Sequence, residues 1–336
     1  MQQASRWYGF NLPELFLERD DPRWRDMTLD PRGKFVEDHF RWIADWGFTF
    51  VRLPMTYKWW VRDGDPHQLD EEKFAPIDQA VEWAVRYGLH ISLNMHHAPG
   101  YCINPPIVPE PFRLWTDQAA LDCFHLHWQA FARRYRHIGP ETLSFNLINE
   151  PTDCIRMDYI RVMRTTAEKI LEIDPDRTIV IDGYDVGQYP CIEFTGEPFV
   201  QGCRGYWPRE LSHYAAWWAH MPIQPPTWPG VFSEGKARTR EELRAYFEPW
   251  FVWQRSGGSV LCGEFGGYNQ TPRPVFMAWM HDLLEIFREA SFGWALWNFR
   301  GSFGILDSGR SDTAYVDWYG HQLDQELLQA LQQARA

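Results

Sequence analysis

The chain has 336 residues, with 33 Lys+Arg against 45 Asp+Glu, a formal net charge of −12, 6 Cys, 19 Trp and 45% hydrophobic residues. The apolar share excludes wholesale disorder, and the acidic balance argues against a nucleic-acid or anionic-membrane binder, which needs a concentrated basic surface. No apolar run approaches the roughly 18 residues that a membrane helix requires.

In chain order, the start Met-Gln-Gln-Ala-Ser-Arg lacks the basic-then-apolar build of a secretory signal, so a cytoplasmic location is expected, or secretion if a leader has been removed. Short runs rich in Val, Ile, Leu and Phe predict strands at Tyr8–Leu12, Phe50–Leu53, His90–Met95, Leu143–Ile148, Ile179–Gly183, Phe199–Gly202, Val260–Gly263 and Phe292–Trp297. Helical spacing intervenes: Phe35, Val36, His39, Phe40, Ile43 and Trp46; then Ile77, Ala80, Val81, Ala84 and Val85; then Leu121, Phe124, Trp128 and Phe131. Further helices are predicted over Tyr159–Ile173, Glu241–Trp253, Val275–Ala290 and Asp324–Ala334, while the fifth crossover, around Tyr189–Phe194, is short and poorly patterned. Eight strands alternating with about eight crossovers, without a linker, describe a single (β/α)8 TIM barrel over residues 1–336. A doubly wound open sheet fits less well, because no Gly-x-Gly-x-x-Gly follows a strand. The segment Cys203–Thr239, with Trp207, Trp217, Trp218, Trp228 and five prolines, reads as an enlarged loop after strand 6. The six cysteines show no Cys-x-x-Cys spacing and are expected to be unpaired and mostly buried.

The strand ends carry the chemistry. Strand 2 ends Val51-Arg52-Leu53-Pro54, strand 3 Asn94-Met95-His96-His97, strand 4 Leu147-Ile148-Asn149-Glu150, strand 7 Cys262-Gly263-Glu264-Phe265 and strand 8 Leu296-Trp297-Asn298. An apolar strand running into a carboxylate sets that group at the edge of a dry core, where desolvation raises its pKa and suits it to proton transfer. Glu150 and Glu264 come from opposite sides of the expected barrel mouth. Paired carboxylates ringed by tryptophan suit glycoside cleavage, in which one carboxyl protonates the leaving oxygen and the other attacks the anomeric carbon. Sugars stack their C–H faces on indole rings, which gives exposed tryptophan a purpose. Trp59, Trp60, Trp207, Trp217, Trp218 and Trp228 are the platform candidates, and Trp24, Trp42, Trp46, Trp83 and Trp128 are expected to pack.

Val51-Arg52-Leu53-Pro54, Met95-His96-His97-Ala98-Pro99-Gly100, Asn149-Glu150-Pro151, Gly263-Glu264-Phe265-Gly266 and Ala295-Leu296-Trp297-Asn298, in this order, resemble glycoside hydrolase family 5, the cellulase-like barrel group, over nearly the whole chain; Gly9-Phe10-Asn11-Leu12 also looks like the family's first strand. The resemblance implies a retaining glycosidase with Glu264 as nucleophile, its carboxyl about 5–5.5 Å from that of Glu150, the acid and then base. It implies that Asn149 bonds the sugar 2-hydroxyl, that Arg52 holds the nucleophile ionised, that His96 lines the site, and that Trp297 lies beneath the reacting sugar. His97 is read as structural.

One departure stands out. The family's His-x-Tyr after strand 6 is matched by Arg204-Gly205-Tyr206, so Tyr206 fits and Arg204 replaces the histidine, with Ser212-His213 downstream. A permanent cation beside Glu150 opposes an acid role. Three expectations compete: Arg204 points into a substrate-recognition position and meets an acidic or unusually branched sugar, His213 swings in as the missing partner, or the enzyme is slow or altered in specificity.

The remaining polar groups read more plainly. His125 and His127 face different sides of a helix, Asp63, Asp65 and Asp70 form a solvated loop, and Asp307, Arg310 and Asp312 form a polar loop that could meet sugar hydroxyls. The expectation is a retaining glycosidase of β-linked glucan or mannan-type oligo- or polysaccharides, with no metal or organic cofactor, a carbohydrate substrate, no nucleic-acid or membrane partner, and a monomeric or weakly oligomeric state. The alternative is an impaired barrel that only binds carbohydrate, or an exo-acting enzyme of altered specificity.

Overall fold

A computed structural model describes residues 7–18, 21–23, 33–104, 106–221, 224–231, 235 and 237–335. The residues before Trp7, and Trp24, which is expected to pack, lie outside that set. The barrel strands are β1 (Tyr8–Asn11), β2 (Phe50–Thr56), β3 (His90–Ala98), β4 (Leu143–Asn146), β5 (Thr178–Asp182), β6 (Val200–Gly205), β7 (Ser259–Phe265) and β8 (Gly293–Leu296). All neighbours pair in parallel in the order β2-β1-β8-β7-β6-β5-β4-β3, and β3 pairs back onto β2, which closes the barrel. The main helices are α1 (Glu37–Asp45), α2 (Ala75–Arg86), α3 (Gln118–Tyr135), α4 (Arg156–Leu171), α5 (Arg240–Tyr246), α6 (Glu248–Arg255), α7 (Arg273–Ala290) and α8 (Gln325–Gln333). No helix among the described residues is long and apolar enough to cross a membrane.

Every expected strand is present, with shifted ends. β2, β3, β6 and β7 run two or three residues further than their apolar runs, because a polar side chain can face the barrel interior when another strand supplies its partner. Arg204 therefore lies on β6 itself rather than in the loop beyond it. The expected helix over Glu241–Trp253 is two, α5 and α6, divided at Phe247 where Pro249 enters the first turn of α6. The weak fifth crossover is a helical turn, Tyr184–Gly187, and a 3-10 turn, Ile192–Phe194.

The barrel interior grades from apolar to charged. At its base Phe50, Val180, Val200, Leu261 and Ala295 form a small cluster, and Trp7 packs against it, stacked on His90 with ring centroids 3.9 Å apart. Above lie buried Ser92 and Ser144, then Asn11, Arg52, Asn146, Asp182, Arg204 and Glu264 toward the mouth. The larger apolar core sits between the strands and the helix ring. The six cysteines are free, four of them buried.

Close approach of β1 and β2 explains one glycine. Gly9 pairs with Phe50, and a Cβ at residue 9 would lie 1.7 Å from the Phe50 carbonyl oxygen, a backbone atom that cannot rotate away. Gly9→Ala is expected to cost more than about 3 kcal/mol, because strand separation replaces a tolerable side-chain shift. Urea unfolding measures this, and an unchanged midpoint would show that β1 and β2 need not approach so closely.

Candidate active site

The site is built around Arg52, fully buried on β2. A guanidinium removed from water must satisfy its donors within the protein. Its Nε donates to Asn146 Oδ1 (2.9 Å), Nη1 to Asn11 Oδ1 (2.9 Å) and Glu264 Oε1 (2.6 Å), and Nη2 to Asn149 Oδ1 (2.8 Å). Burial lowers its pKa, and the Glu264 carboxylate opposes that shift. One side chain thereby ties β1, β4, the segment after β4, and β7 together.

Glu264 reaches this position through a bulge. The register of β7 shifts between Cys262 and Glu264 against β6, and between Cys262 and Phe265 against β8, which sets Glu264 opposite Arg204. Gly263 fits at the bulge, since a Cβ there would sit 3.0 Å from Arg204 Nη1. The second oxygen of Glu264 accepts from Tyr206 Oη at 3.1 Å. Burial and the two glutamates push the Tyr206 pKa well above its ordinary value, so the phenol keeps the proton it donates.

Glu150 follows the fourth strand in a left-handed backbone conformation, φ 47°, unusual for a side-chain-bearing residue. Its peptide is clamped on both sides: the N–H donates to Asp182 Oδ2 (2.9 Å), and the carbonyl accepts from Tyr101 Oη (2.6 Å). Its Oε1 accepts from Arg204 Nε at 3.0 Å. Burial, reinforced by the Glu264 carboxylate and opposed by Arg204, pushes its pKa up to about 7.

Arg204 faces inward. Four of its five N–H groups are taken by Glu150, Cys203 O, Asn149 Oδ1 and Asp182. Its Nη2 also lies 3.5 Å from Glu264 Oε1. In place of the substrate-recognition role expected of it, Arg204 directs its charge at three protein carboxylates, Glu150, Asp182 and Glu264. The expectation that His213 replaces the missing histidine fares no better. His213 packs edge-on to Tyr206 and Phe303, bonds Ser212 Oγ through Nδ1 at 2.9 Å, and is held neutral by burial, its pKa lowered to about 3.

Asn149 is oriented by both arginines. Its Oδ1 accepts from Arg52 and Arg204, each at 2.8 Å, which turns its amide nitrogen toward His96 Nε2, 3.2 Å away. Asn104 approaches the same ring nitrogen at 3.1 Å. His96 Nε2 is thus the acceptor, and buried Nδ1 has no hydrogen-bond partner in the protein. Burial beside two arginines keeps His96 uncharged. Trp297 borders it, with ring centroids 5.8 Å apart, and Phe16 packs edge-on to both. His97 instead bonds Thr56 (3.1 Å) and Glu110 (2.8 Å), away from Glu150 and Glu264.

Several platform candidates are structural. Trp60 is fully buried and donates to His127 Nδ1 at 2.8 Å; Trp59 donates to Leu17 O, and Trp228 to Asp282. Trp207 stacks on Tyr246, and Trp218 packs edge-on to Tyr268. Among the described residues Trp217 is the exposed tryptophan, at 54%. The loop after β8 turns inward as well: Asp307 pairs with Arg300 and His321, Arg310 donates to the Thr271, Gly267 and Tyr268 carbonyls, and Asp312 accepts from the Arg273 N–H.

Sequence reasoning missed Asp182, Asn11, Asn146 and Tyr101 as site components. Asp182 was detectable: Ile179-Val180-Ile181-Asp182 is an apolar strand running into a carboxylate, the pattern that singled out Glu150. Asn11, Asn146 and Tyr101 carry no such signal, since an uncharged polar group at a strand end is usually solvated.

The family model for cellulase (glycosyl hydrolase family 5) matches residues 23–302. The chain belongs to glycosyl hydrolase family 5. A solved structure described as a glycoside hydrolase is 35% identical, with a TM-score of 0.91, over 99% of this chain and 100% of that one. Among family 5 relatives, Cellodextrinase A of Ruminococcus flavefaciens is 26% identical over 78% of each chain, and Endoglucanase C of Acetivibrio thermocellus 25% identical over 79% of this chain and 84% of its own. An endoglucanase structure from Thermotoga maritima, 21% identical with a TM-score of 0.74 over 96% of each chain, shares the fold.

The raised pKa of Glu150 carries a stability signature. A carboxyl that binds its proton more tightly folded than unfolded stabilises the fold at low pH and loses that contribution as pH rises from about 4.5 to about 7. Glu150→Gln removes the titration. The variant is expected to gain stability relative to the parent between pH 5 and pH 8, on the order of 1 to 3 kcal/mol. Parallel urea titrations check this, and a pH-independent difference between the two proteins would contradict it.

Proposed function

We propose that this family 5 chain is a retaining β-glycosidase of β-linked glucan-type oligo- or polysaccharides, with Glu264 as nucleophile and Glu150 as general acid and then base. The observation that carries the reading is the unlike environment of the two carboxyls. Glu150 keeps a proton to about pH 7, whereas each Glu264 oxygen receives a hydrogen bond, one from Arg52 and one from Tyr206. In the first step Glu264 attacks the anomeric carbon while Glu150 protonates the departing oxygen, leaving a covalent glycosyl-enzyme. Glu150, now a carboxylate, takes a proton from the water that attacks the same carbon, and Glu264 departs. No step asks for a metal or organic cofactor.

The supporting residues fit these steps. Asn149, fixed by two guanidiniums, presents its amide to a 2-hydroxyl whose hydrogen bond strengthens as positive charge grows on the ring. Arg52 and Tyr206 offset charge returning to Glu264 when the intermediate breaks down. Trp297 offers an indole face below the sugar. The glucan preference is supported by the cellodextrinase and endoglucanase names of its relatives; a β-mannan oligosaccharide is the comparison substrate.

Glu264→Ala and Glu150→Ala are each expected to lower hydrolysis of unactivated cello-oligosaccharides by roughly a thousandfold or more, since each abolishes a step that positioning alone does not replace. Proton NMR of the first-formed product should show retained β configuration; an inverted product, or near-parental rates in either variant, would overturn the assignment. In the parent, kcat/KM should fall above about pH 7 as Glu150 loses its proton. A profile flat through pH 9 would count against Glu150 as the acid.

A further inference from the structure

A cation bonded to a general acid should keep it ionised, yet Arg204 touches Glu150 directly. The surrounding charges show how the conflict is resolved. Arg52 and Arg204 contribute two positive charges, while Glu264, Asp182 and Glu150 contribute three negative ones when all are ionised. The cluster is neutral only when one carboxyl holds a proton. Asp182, 1% exposed, bonds Arg204 and the Glu150 N–H with the same oxygen, Oδ2, and Glu264 pairs with Arg52. The remaining carboxyl is Glu150.

We propose that Asp182 is a positioning residue that neutralises Arg204 and fixes the Glu150 backbone, so that Arg204 orients the acid/base carboxyl without stripping it of its proton. The inference rests on the reading of Glu150 as acid and base. It assigns Arg204 and Asp182 as a matched pair: a guanidinium stays charged whether or not Glu150 holds its proton, so it needs a counter-charge other than Glu150.

The groups facing Glu150 are Arg204 on β6, Asp182 on β5, Glu264 on β7, Arg52 on β2, and the hydroxyls of Tyr206, Tyr101 and Tyr246 from the loops after β6 and β3 and from α5. The tyrosines stay protonated, their pKa values raised by burial. Asp182 itself meets Arg204, the Asn146 amide and, through its backbone carbonyl, Tyr159. Replacing Asp182 by Asn therefore removes a negative charge near Glu150 and frees Arg204 to pair with it. Both changes lower the pH at which Glu150 loses its proton.

The test is the kcat/KM–pH profile on an aryl β-cellobioside with a poor leaving group. Asp182→Asn should shift the basic limb down by about one pH unit or more, with a roughly tenfold loss at pH 7.5 and little loss near pH 5. Arg204→Gln should move the limb up, and the Asp182→Asn, Arg204→Gln double variant should return it near the parent's. If Asp182→Asn alone does not fold, the comparison of Arg204→Gln with the double variant, which buries no unpaired guanidinium, decides. A uniform loss at every pH, or identical limbs for Arg204→Gln and the double variant, overturns the proposal and leaves Asp182 a structural residue. With a dinitrophenyl leaving group, which departs without a proton, the loss caused by Asp182→Asn at pH 7.5 should be much smaller than with the poor leaving group. Glu150→Gln separates the two ideas: if it hydrolyses the poor substrate at the parental rate, the acid assignment fails whatever Asp182 does.

Discussion

The constraint that organises this molecule is the burial of two guanidiniums at the mouth of the barrel. Removing an ion from water costs several kcal/mol unless acceptors surround it. Arg52 and Arg204 are met by groups from β1, β4, β5, β7 and the segment after β4. Those groups cannot move without leaving a buried charge uncompensated, so the Glu150 and Glu264 carboxyls inherit the rigidity of the barrel. Pre-organisation of this kind costs nothing at the moment of reaction, which is where electrostatic catalysis gains its advantage over water. The left-handed backbone at Glu150 belongs to the same economy, because an unfavourable φ persists only where its surroundings hold it.

Much of this was legible in the amino-acid sequence. The eight strands were visible as short apolar runs because parallel strands covered on both faces carry no polar alternation. Arg52, Glu150 and Glu264 stood out as charges closing such runs. Strand ends were less legible, since the residues that extend β6 and β7 are Arg204 and Glu264, charges that local patterning assigns to solvent. Only partners distant in sequence, 54 and 212 residues away, make them interior. The direction of Arg204 was likewise unreadable, because its ion pair with Asp182 is a tertiary fact.

The tryptophans show a different limit. Loop position suggested sugar platforms, but Trp59, Trp60 and Trp228 are anchored by indole N–H bonds within the fold. An indole pairs a large apolar face with one donor, so it seals a loop against a helix as readily as it meets a ligand. Most of the aromatic excess thus holds the long connections of the barrel in place. Trp217 projects from one of those connections.

Trp7, stacked beneath the strands, bears on how the protein can be tethered. Trp7 lies at the base of the barrel, and Arg335, whose guanidinium lies 4.7 Å over the Phe48 ring and bonds Gly47 O, follows α8 beside the turn that leads into β2. Trp7 and Arg335 therefore both lie on the face of the barrel opposite Glu150 and Glu264. Anything joined to the fold through either residue would sit on the side of the barrel away from the two carboxyls.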